Sequence, residues 1–164
     1  MTARTSCGER ASMIALPNDE EEIPEEPRRR LELVRKIVDV ATGKHGIPIE
    51  DIVVDPLAMP VGADTSLVLA TLETIRLVRE EFGLNMTLGA SNVSFGMPDR
   101  ASIGAAFLPM AIMNGLTSAI MDARSPQLVR AVKAADLLTN KDPWGASWIA
   151  AHRAARQAEA QAAT

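Results

Sequence analysis

Four times along this chain, a short apolar run ends in a turn signal and gives way to a segment whose apolar residues recur three and four apart. This alternation constrains the fold more than any single motif does. The first run, Ala11-Ser12-Met13-Ile14-Ala15-Leu16, has strand length and stops at Pro17-Asn18-Asp19. Pro24 and Pro27 lead into Leu31, Val34, Ile37, Val38 and Ala41, the stripe of an amphipathic helix with Arg28, Arg29, Arg30 and Lys36 on its outer side. The helix breaks between Gly43 and Gly46. Ile52-Val53-Val54 is β-branched throughout and closes on Asp55-Pro56, which fits a strand buried on both faces of a parallel sheet. After a Pro/Gly loop over 56–64, a second helix runs from Thr65 to Glu81, with Leu69, Leu72, Ile75 and Val78 inward and Gly83 as its stop. Met86 to Leu88 is a third strand. A third helix spans Arg100 to Asn114, with Ile103, Phe107, Met110 and Ala111 inward. Pro109 inside it calls for a kink or a late start, and Gly115 ends it. Ser118 to Met121 is the fourth strand, and Ser125-Pro126 starts a helix through Leu128, Val129, Val132, Ala135 and Leu138. An Ala-rich helix over about 143–162 closes the pattern.

Strands alternating with helices predict an α/β fold with parallel strands and right-handed crossovers. No Gly-rich dinucleotide fingerprint follows the first strand and no P-loop occurs, which disfavours a doubly wound nucleotide-binding sheet. The remaining common outcome is a (β/α)8 barrel of the TIM type, which typically needs about 250 residues. This chain supplies about four βα units plus an extra C-terminal helix, so the expectation is a partial (β/α)8 barrel. Its organisation reads as a disordered N-terminus over 1–10, half of a barrel over 11–153 and a loose tail over 154–164.

The polar residues fall at the ends of the strands. Asn18 and Asp19, Asp55, Asn92 and Asp122 each lie at or just past a strand's C-terminal end. In parallel α/β folds those ends share one face, where ligands sit. The third strand runs into Leu88-Gly89-Ala90-Ser91-Asn92-Val93-Ser94-Phe95-Gly96, small residues around one carboxamide. Small residues let a backbone and a flat ligand approach closely, and a carboxamide donates and accepts at once. The plain alternative is a strand-to-helix loop with an Asn in a turn.

Composition removes several function classes. Aromatic content is 3% with no Tyr, which argues against a stacking surface for single-stranded nucleic acid. A net charge of −4 leaves no basic footprint for nucleic acid or an anionic membrane. One cysteine, Cys7, makes neither an intrachain disulfide nor a multi-cysteine metal site and reads as a stray thiol. No apolar run approaches membrane-spanning length and no secretory h-region is visible, so a cytoplasmic protein is expected. Glu20-Glu21-Glu22 reads as a solvated helix start rather than a Mg²⁺ site, and His45 and His152 as surface residues. Trp144 and Trp148, four apart, are expected to pack on the barrel wall, and Met110, Met113 and Met121 to fill interiors.

With these residues laid out, Asp55-Pro56-Leu57 and the loop at 88–96 resemble the methyltetrahydrofolate:corrinoid methyltransferases and the pterin-binding domain of cobalamin-dependent methionine synthase. Phe107-Leu108, Met113-Asn114-Gly115-Leu116, Ala119-Ile120-Met121-Asp122 and Ala135-Asp136-Leu137-Leu138-Thr139-Asn140-Lys141-Asp142 are similar to the same family. The resemblance covers residues 11–153, and its most specific piece is Ser91-Asn92-Val93-Ser94. The related dihydropteroate synthases share the barrel but carry a basic Ser-Arg-Lys type loop that is not found here.

The resemblance implies a complete eight-stranded barrel that binds methyltetrahydrofolate at the strand C-termini. Asp55 would accept hydrogen bonds from the N–H edge of the pterin. Asn92 would be the catalytic carboxamide near N5, the nitrogen carrying the methyl group. Gly89, Ser91 and Ser94 would shape the loop around the ring, with Asn18 counted among the binding residues. The methyl acceptor would be a cobalt(I) corrinoid (cobalamin) held by a partner protein or domain, with no metal on the barrel itself. This chain departs from the family in lacking the earlier strands, which carry further pterin-contacting Asp and Asn residues; its first strand matches the fifth. The expectation is that a second chain, either a separately encoded N-terminal half or another copy, completes the barrel. The alternatives are a non-catalytic half-subunit or truncated fragment, and a different TIM-like enzyme using Asp55 and Asp122 as an acid/base pair.

Overall fold

The computed structural model describes residues 12–19 and 23–162. The expected disorder of residues 1–10, the thiol of Cys7 and the acidic run Glu20-Glu21-Glu22 lie outside the described residues. Three short strands, β1 (Met13–Ala15), β2 (Ile52–Val54) and β3 (Asn85–Met86), pair in parallel in the order β1-β2-β3. Ile14 is level with Val53, and Val53 with Asn85. The pairing carries past the strand ends, where the Asp55 N–H donates to the Ala15 carbonyl and the Thr87 N–H to the Val54 carbonyl, each at 2.9 Å.

The expected fourth strand lies beside β3 but is reduced to a single parallel bridge between Gly89 and Ile120. Ser118 donates to the Met86 carbonyl at 3.0 Å and Ile120 to the Leu88 carbonyl at 2.8 Å, while Ala90 donates to the Ile120 carbonyl at 3.0 Å. Where this pairing starts, the Met86 N–H goes to the Thr117 hydroxyl, at 2.8 Å, instead of a main-chain carbonyl.

Helices α1 (Pro27–Asp39), α2 (Leu67–Phe82), α3 (Arg100–Met113), α4 (Pro126–Leu138) and α5 (Ala146–Ala162) follow the strands as the periodicity predicts. α1 begins on a Glu26 cap, whose carboxylate accepts the Arg28 and Arg29 N–H groups at 3.0 and 2.7 Å, and it runs out through a π-helical turn, Val40–Lys44. α2 ends at Gly83 in the left-handed region, with φ +65°. α3 starts at Arg100 and runs through Pro109, so the late start is not found. Ser125 caps α4. Val34, Ile75, Val78 and Leu108 meet Ile52, Val54, Met86 and Leu88 in one core. Each such fully buried aliphatic side chain contributes about 1.5–3 kcal/mol.

Strand alternation places Ile14, Val53 and Ile120 on the opposite face, away from this core. Ile14 is 52% and Ile120 66% exposed. Among the described residues, nothing pairs with the outer edge of β1 or with the outer edge of the Ser118–Met121 segment.

Several inward assignments are corrected. Leu69, Met110, Met113 and Leu138 are exposed, because the buried stripes are rotated to Leu67, Thr71, Leu72 and Ile75 on α2, to Gly104, Phe107, Leu108 and Ala111 on α3 and to Ala135 on α4. Trp144 does not share a helical face with Trp148. It sits before α5 in a short turn, Pro143–Gly145, with φ +63°, and is 98% exposed. Asp142 caps α5 instead, accepting the Ser147 and Trp148 N–H groups at 3.0 and 2.9 Å. The largest correction is Arg30, which is not on the outer face of α1 but fully buried. No helix among the described residues is long and apolar enough to cross a membrane.

Candidate functional site

Parallel pairing puts the C-terminal ends of β1, β2 and β3 on one edge of the sheet. The loops leaving that edge carry the residues singled out from the sequence. Asp55 follows β2 directly and is half-buried. Its Oδ1 accepts the Leu57 N–H at 2.9 Å, closing a tight turn. Burial pushes the Asp55 carboxyl above the usual carboxylate range, and the Leu57 N–H draws it partly back. Leu57 holds φ +62°, a left-handed conformation that costs a residue with a Cβ about 1–2 kcal/mol. Its carbonyl accepts from Arg30 Nη1 at 3.1 Å and lies 3.0 Å from the Thr71 hydroxyl, whose one proton it shares with the Leu67 carbonyl, also at 3.0 Å.

The loop after β3 winds into one 3₁₀ turn, Ala90–Ser94. Asn92 lies within it. Its N–H donates to the Gly89 carbonyl and its carbonyl accepts the Phe95 N–H, both at 3.0 Å, which leaves the carboxamide exposed. Gly89 lies close beneath that carboxamide, and a Cβ there would stand 3.2 Å from Asn92 Nδ2. Val93 is buried and anchors the turn. Ser91 is exposed, whereas Ser94 is buried. The Ser94 hydroxyl donates to the Ser91 carbonyl and accepts from Arg100 Nε, both at 3.3 Å, so it serves the shape of the loop. Arg100 also reaches the Ser91 carbonyl at 2.7 Å and lies over the Phe95 ring.

One bond stitches the two loops together: the Val61 N–H donates to the Val93 carbonyl at 2.9 Å. Close by, a Cβ on Gly62 would stand 3.3 Å from the Phe95 carbonyl oxygen. The Asp55 loop and the Asn92 loop are therefore neighbours in space as well as in strand order. Asn18 and Asp19 flank them beyond β1. Both are exposed, and Asp19 pairs with Arg29 at 2.6 Å. Asp122 flanks them on the other side, paired with Arg124 at 2.9 Å, and that guanidinium holds its carboxyl below the usual range. A carboxylate kept ionised in this way is poorly suited to act as an acid near neutral pH, which weakens the Asp55/Asp122 reading. Among the described residues no group of three or more His, Cys, Asp or Glu could hold a metal ion.

Sequence reasoning missed the residues that hold these loops. Arg30 carried a readable signal, since it precedes Val34 and Val38 by four and eight positions and so lies on the inner stripe of α1. Arg100 and the Val61–Val93 bond carried none, because both depend on how the loops fold back.

A family model described as pterin binding enzyme matches residues 6–122. The chain is 30% identical over 131 residues to a methylcorrinoid:tetrahydrofolate methyltransferase of Eubacterium limosum, covering 79% of this chain and 48% of that protein. It is 30% identical over 120 residues to a methionine synthase of Mycobacterium tuberculosis (strain ATCC 25618 / H37Rv), covering 69% of this chain and 10% of that protein. The chain thus spans about half the length of the first relative and a tenth of the second. By its α/β architecture and by the match over 6–122, this chain belongs to the pterin-binding enzyme family.

Proposed function

We propose that this chain binds the pterin ring of methyltetrahydrofolate at the C-terminal edge of its sheet and takes part in methyl transfer between N5 and a corrinoid protein. The observation that carries the reading is the placement of a half-buried carboxylate, Asp55, and an exposed carboxamide, Asn92, on stitched loops at the same edge. A carboxylate acceptor suits a heterocycle edge that presents adjacent N–H donors. Desolvation at Asp55 strengthens such a bond, because the group already bears the burial that a ligand would complete. Asn92 supplies what the reaction needs at N5. An amine nitrogen losing its methyl group gains electron density, and an N–H donor beside it stabilises it without carrying a charge. Gly89, Ser91 and Ser94 shape the loop around the ring, and Asn18 borders the site on the β1 side. The corrinoid, carried by its own protein, supplies the cobalt centre that exchanges the methyl group.

The strand order supports an arc of a barrel. The segments lie side by side in chain order with no reversal, whereas a doubly wound sheet turns back at a switch point. Among the described residues, two unpaired edges and an exposed apolar face bearing Ile14 and Ile120 leave that arc open. Unpaired edges template association, so further βα units from a second chain complete the site. Sedimentation and calorimetry test this together. The predicted result is methyltetrahydrofolate binding that tightens when a polypeptide carrying the missing units is added, and that Asp55→Ala and Asn92→Ala each weaken. Variants that bind as well as the unaltered chain would overturn the site assignment, and a stable compact monomer that binds fully alone would overturn the need for a second chain.

A further inference from the structure

Among the described residues one cation is fully buried, Arg30, and no described carboxylate is hydrogen-bonded to it. Its Nε donates to the Pro24 carbonyl at 2.6 Å, and its Nη1 donates to the carbonyls of Pro56 and Leu57, each at 3.1 Å. Nη2 is buried without a hydrogen-bond partner. Burial pulls the guanidinium pKa down and the charge of Glu25 partly offsets this, but an arginine stays protonated in a protein. Burying such a group costs several kcal/mol, and removing charge altogether is often neutral or stabilising where a buried cation serves only the core. All three of Arg30's acceptors are loop carbonyls at the sheet's C-terminal edge, before α1 and after β2. Two of them belong to consecutive residues, whose carbonyls would point to opposite sides of an extended chain. Leu57, at φ +62°, supplies the bend between them, and the same residue's N–H turns back to Asp55 Oδ1.

We infer that Arg30 is the positioning residue for Asp55: by gripping the Pro56 carbonyl it fixes the Pro56–Leu57 peptide plane, whose opposite side presents the Leu57 N–H to the Asp55 carboxylate, and by gripping the Leu57 carbonyl it holds the left-handed bend that follows. The Thr71 hydroxyl adds a shared bond to the Leu57 carbonyl. The planar fork reaches two carbonyls and a third on the far loop at once, which a lysine ammonium on a flexible stem does not reproduce. The consequence for ligand binding rests on the pterin reading of Asp55; the positioning itself does not.

Amide hydrogen exchange tests it without a ligand. In Arg30→Met the Leu57 amide should lose about tenfold or more of its protection, the value of one hydrogen bond to a charged group. The adjacent Asp55 and Thr87 amides, bonded to the Ala15 and Val54 carbonyls, should keep theirs. Loss of protection at all three in step would mean that Arg30 only supports the fold, and no change at Leu57 would mean that it does not hold the turn; either overturns the inference. Should Arg30→Met fail to fold, Arg30→Lys gives the same reading. In a second arm, Arg30→Lys should weaken methyltetrahydrofolate binding about tenfold in the natural background and not at all in an Asp55→Ala background. Equal losses in both backgrounds would overturn positioning through Asp55. If the unaltered chain, with or without added βα units, binds no methyltetrahydrofolate, the functional reading fails and Leu57 exchange alone decides the role of Arg30.

Discussion

Replacing Gly89 by alanine should separate stability from function. Gly89 sits at φ −75° and ψ 92°, a conformation open to any L-residue, so the substitution carries no backbone penalty. Alanine also restricts the unfolded chain, which stabilises by about 0.4–1 kcal/mol. For a chain of this size that raises the melting temperature by roughly 1–4 °C. The new methyl meets one neighbour: it would stand 3.2 Å from Asn92 Nδ2, 3.5 Å from Cγ and 3.7 Å from Oδ1. The carboxamide must therefore turn or shift by a few tenths of an ångström, and being exposed it does so at little cost. A ligand that depends on its position loses about one hydrogen bond, about 1–1.5 kcal/mol, or roughly tenfold in affinity. Thermal unfolding and titration calorimetry with methyltetrahydrofolate measure the two effects separately. Unchanged affinity with raised stability would show that Asn92 does not touch the ligand. A melting temperature lowered by more than about 4 °C would show that the loop is packed more tightly than described.

Gly115→Ala should behave in the opposite way: at φ +113° a Cβ is strained, and it would stand 2.7 Å from Arg79 Cγ, so thermal unfolding should show a loss of at least about 1–2 kcal/mol. Asp55→Asn keeps an acceptor for the Leu57 N–H and removes the charge that burial disfavours. Because the folded carboxyl titrates above its unfolded value near 3.8, Asp55 costs stability as pH rises through and beyond that value, so the variant should be at least as stable as the parent at neutral pH by denaturant titration, and should bind methyltetrahydrofolate more weakly. Asp142 behaves in the reverse sense. Its caps hold the carboxyl low, so its contribution is present above about pH 4 and lost as pH falls further; Asp142→Ala should reduce the helical circular dichroism of α5 at neutral pH and make little difference in strong acid. Ile120→Lys on the open sheet face should change the chain's own stability by less than about 0.5 kcal/mol, yet abolish association with complementary βα units in sedimentation equilibrium.

Much of this architecture was legible because it rests on local signals. Ile52-Val53-Val54 is β2 to the residue, the Ser125 and Gly83 boundaries hold, and Asp55 and Asn92 fall at the edge where parallel topology places them. The failures have tertiary causes. The fourth strand is reduced to one bridge, and at its start a side-chain hydroxyl, that of Thr117, takes the Met86 N–H. Leu69, Met110 and Leu138 fit a helical stripe but lie just off the faces that the neighbouring elements cover. The charge of Arg30 points outward and its spacing inward, and only the fold reveals the three carbonyls that make a buried guanidinium tolerable. The loop contacts around Asn92 join residues from separate βα units, and no pattern within one unit encodes them.

Amide and side-chain NMR during a titration with methyltetrahydrofolate tests the central claim most directly, since it registers even the weak binding of an incomplete site. The account predicts that the Asn92 side-chain NH₂ and the Leu57 amide, reporting the two loops, move together and saturate at one ligand concentration. Shifts that leave both of these resonances in place, or that move one without the other, would contradict it.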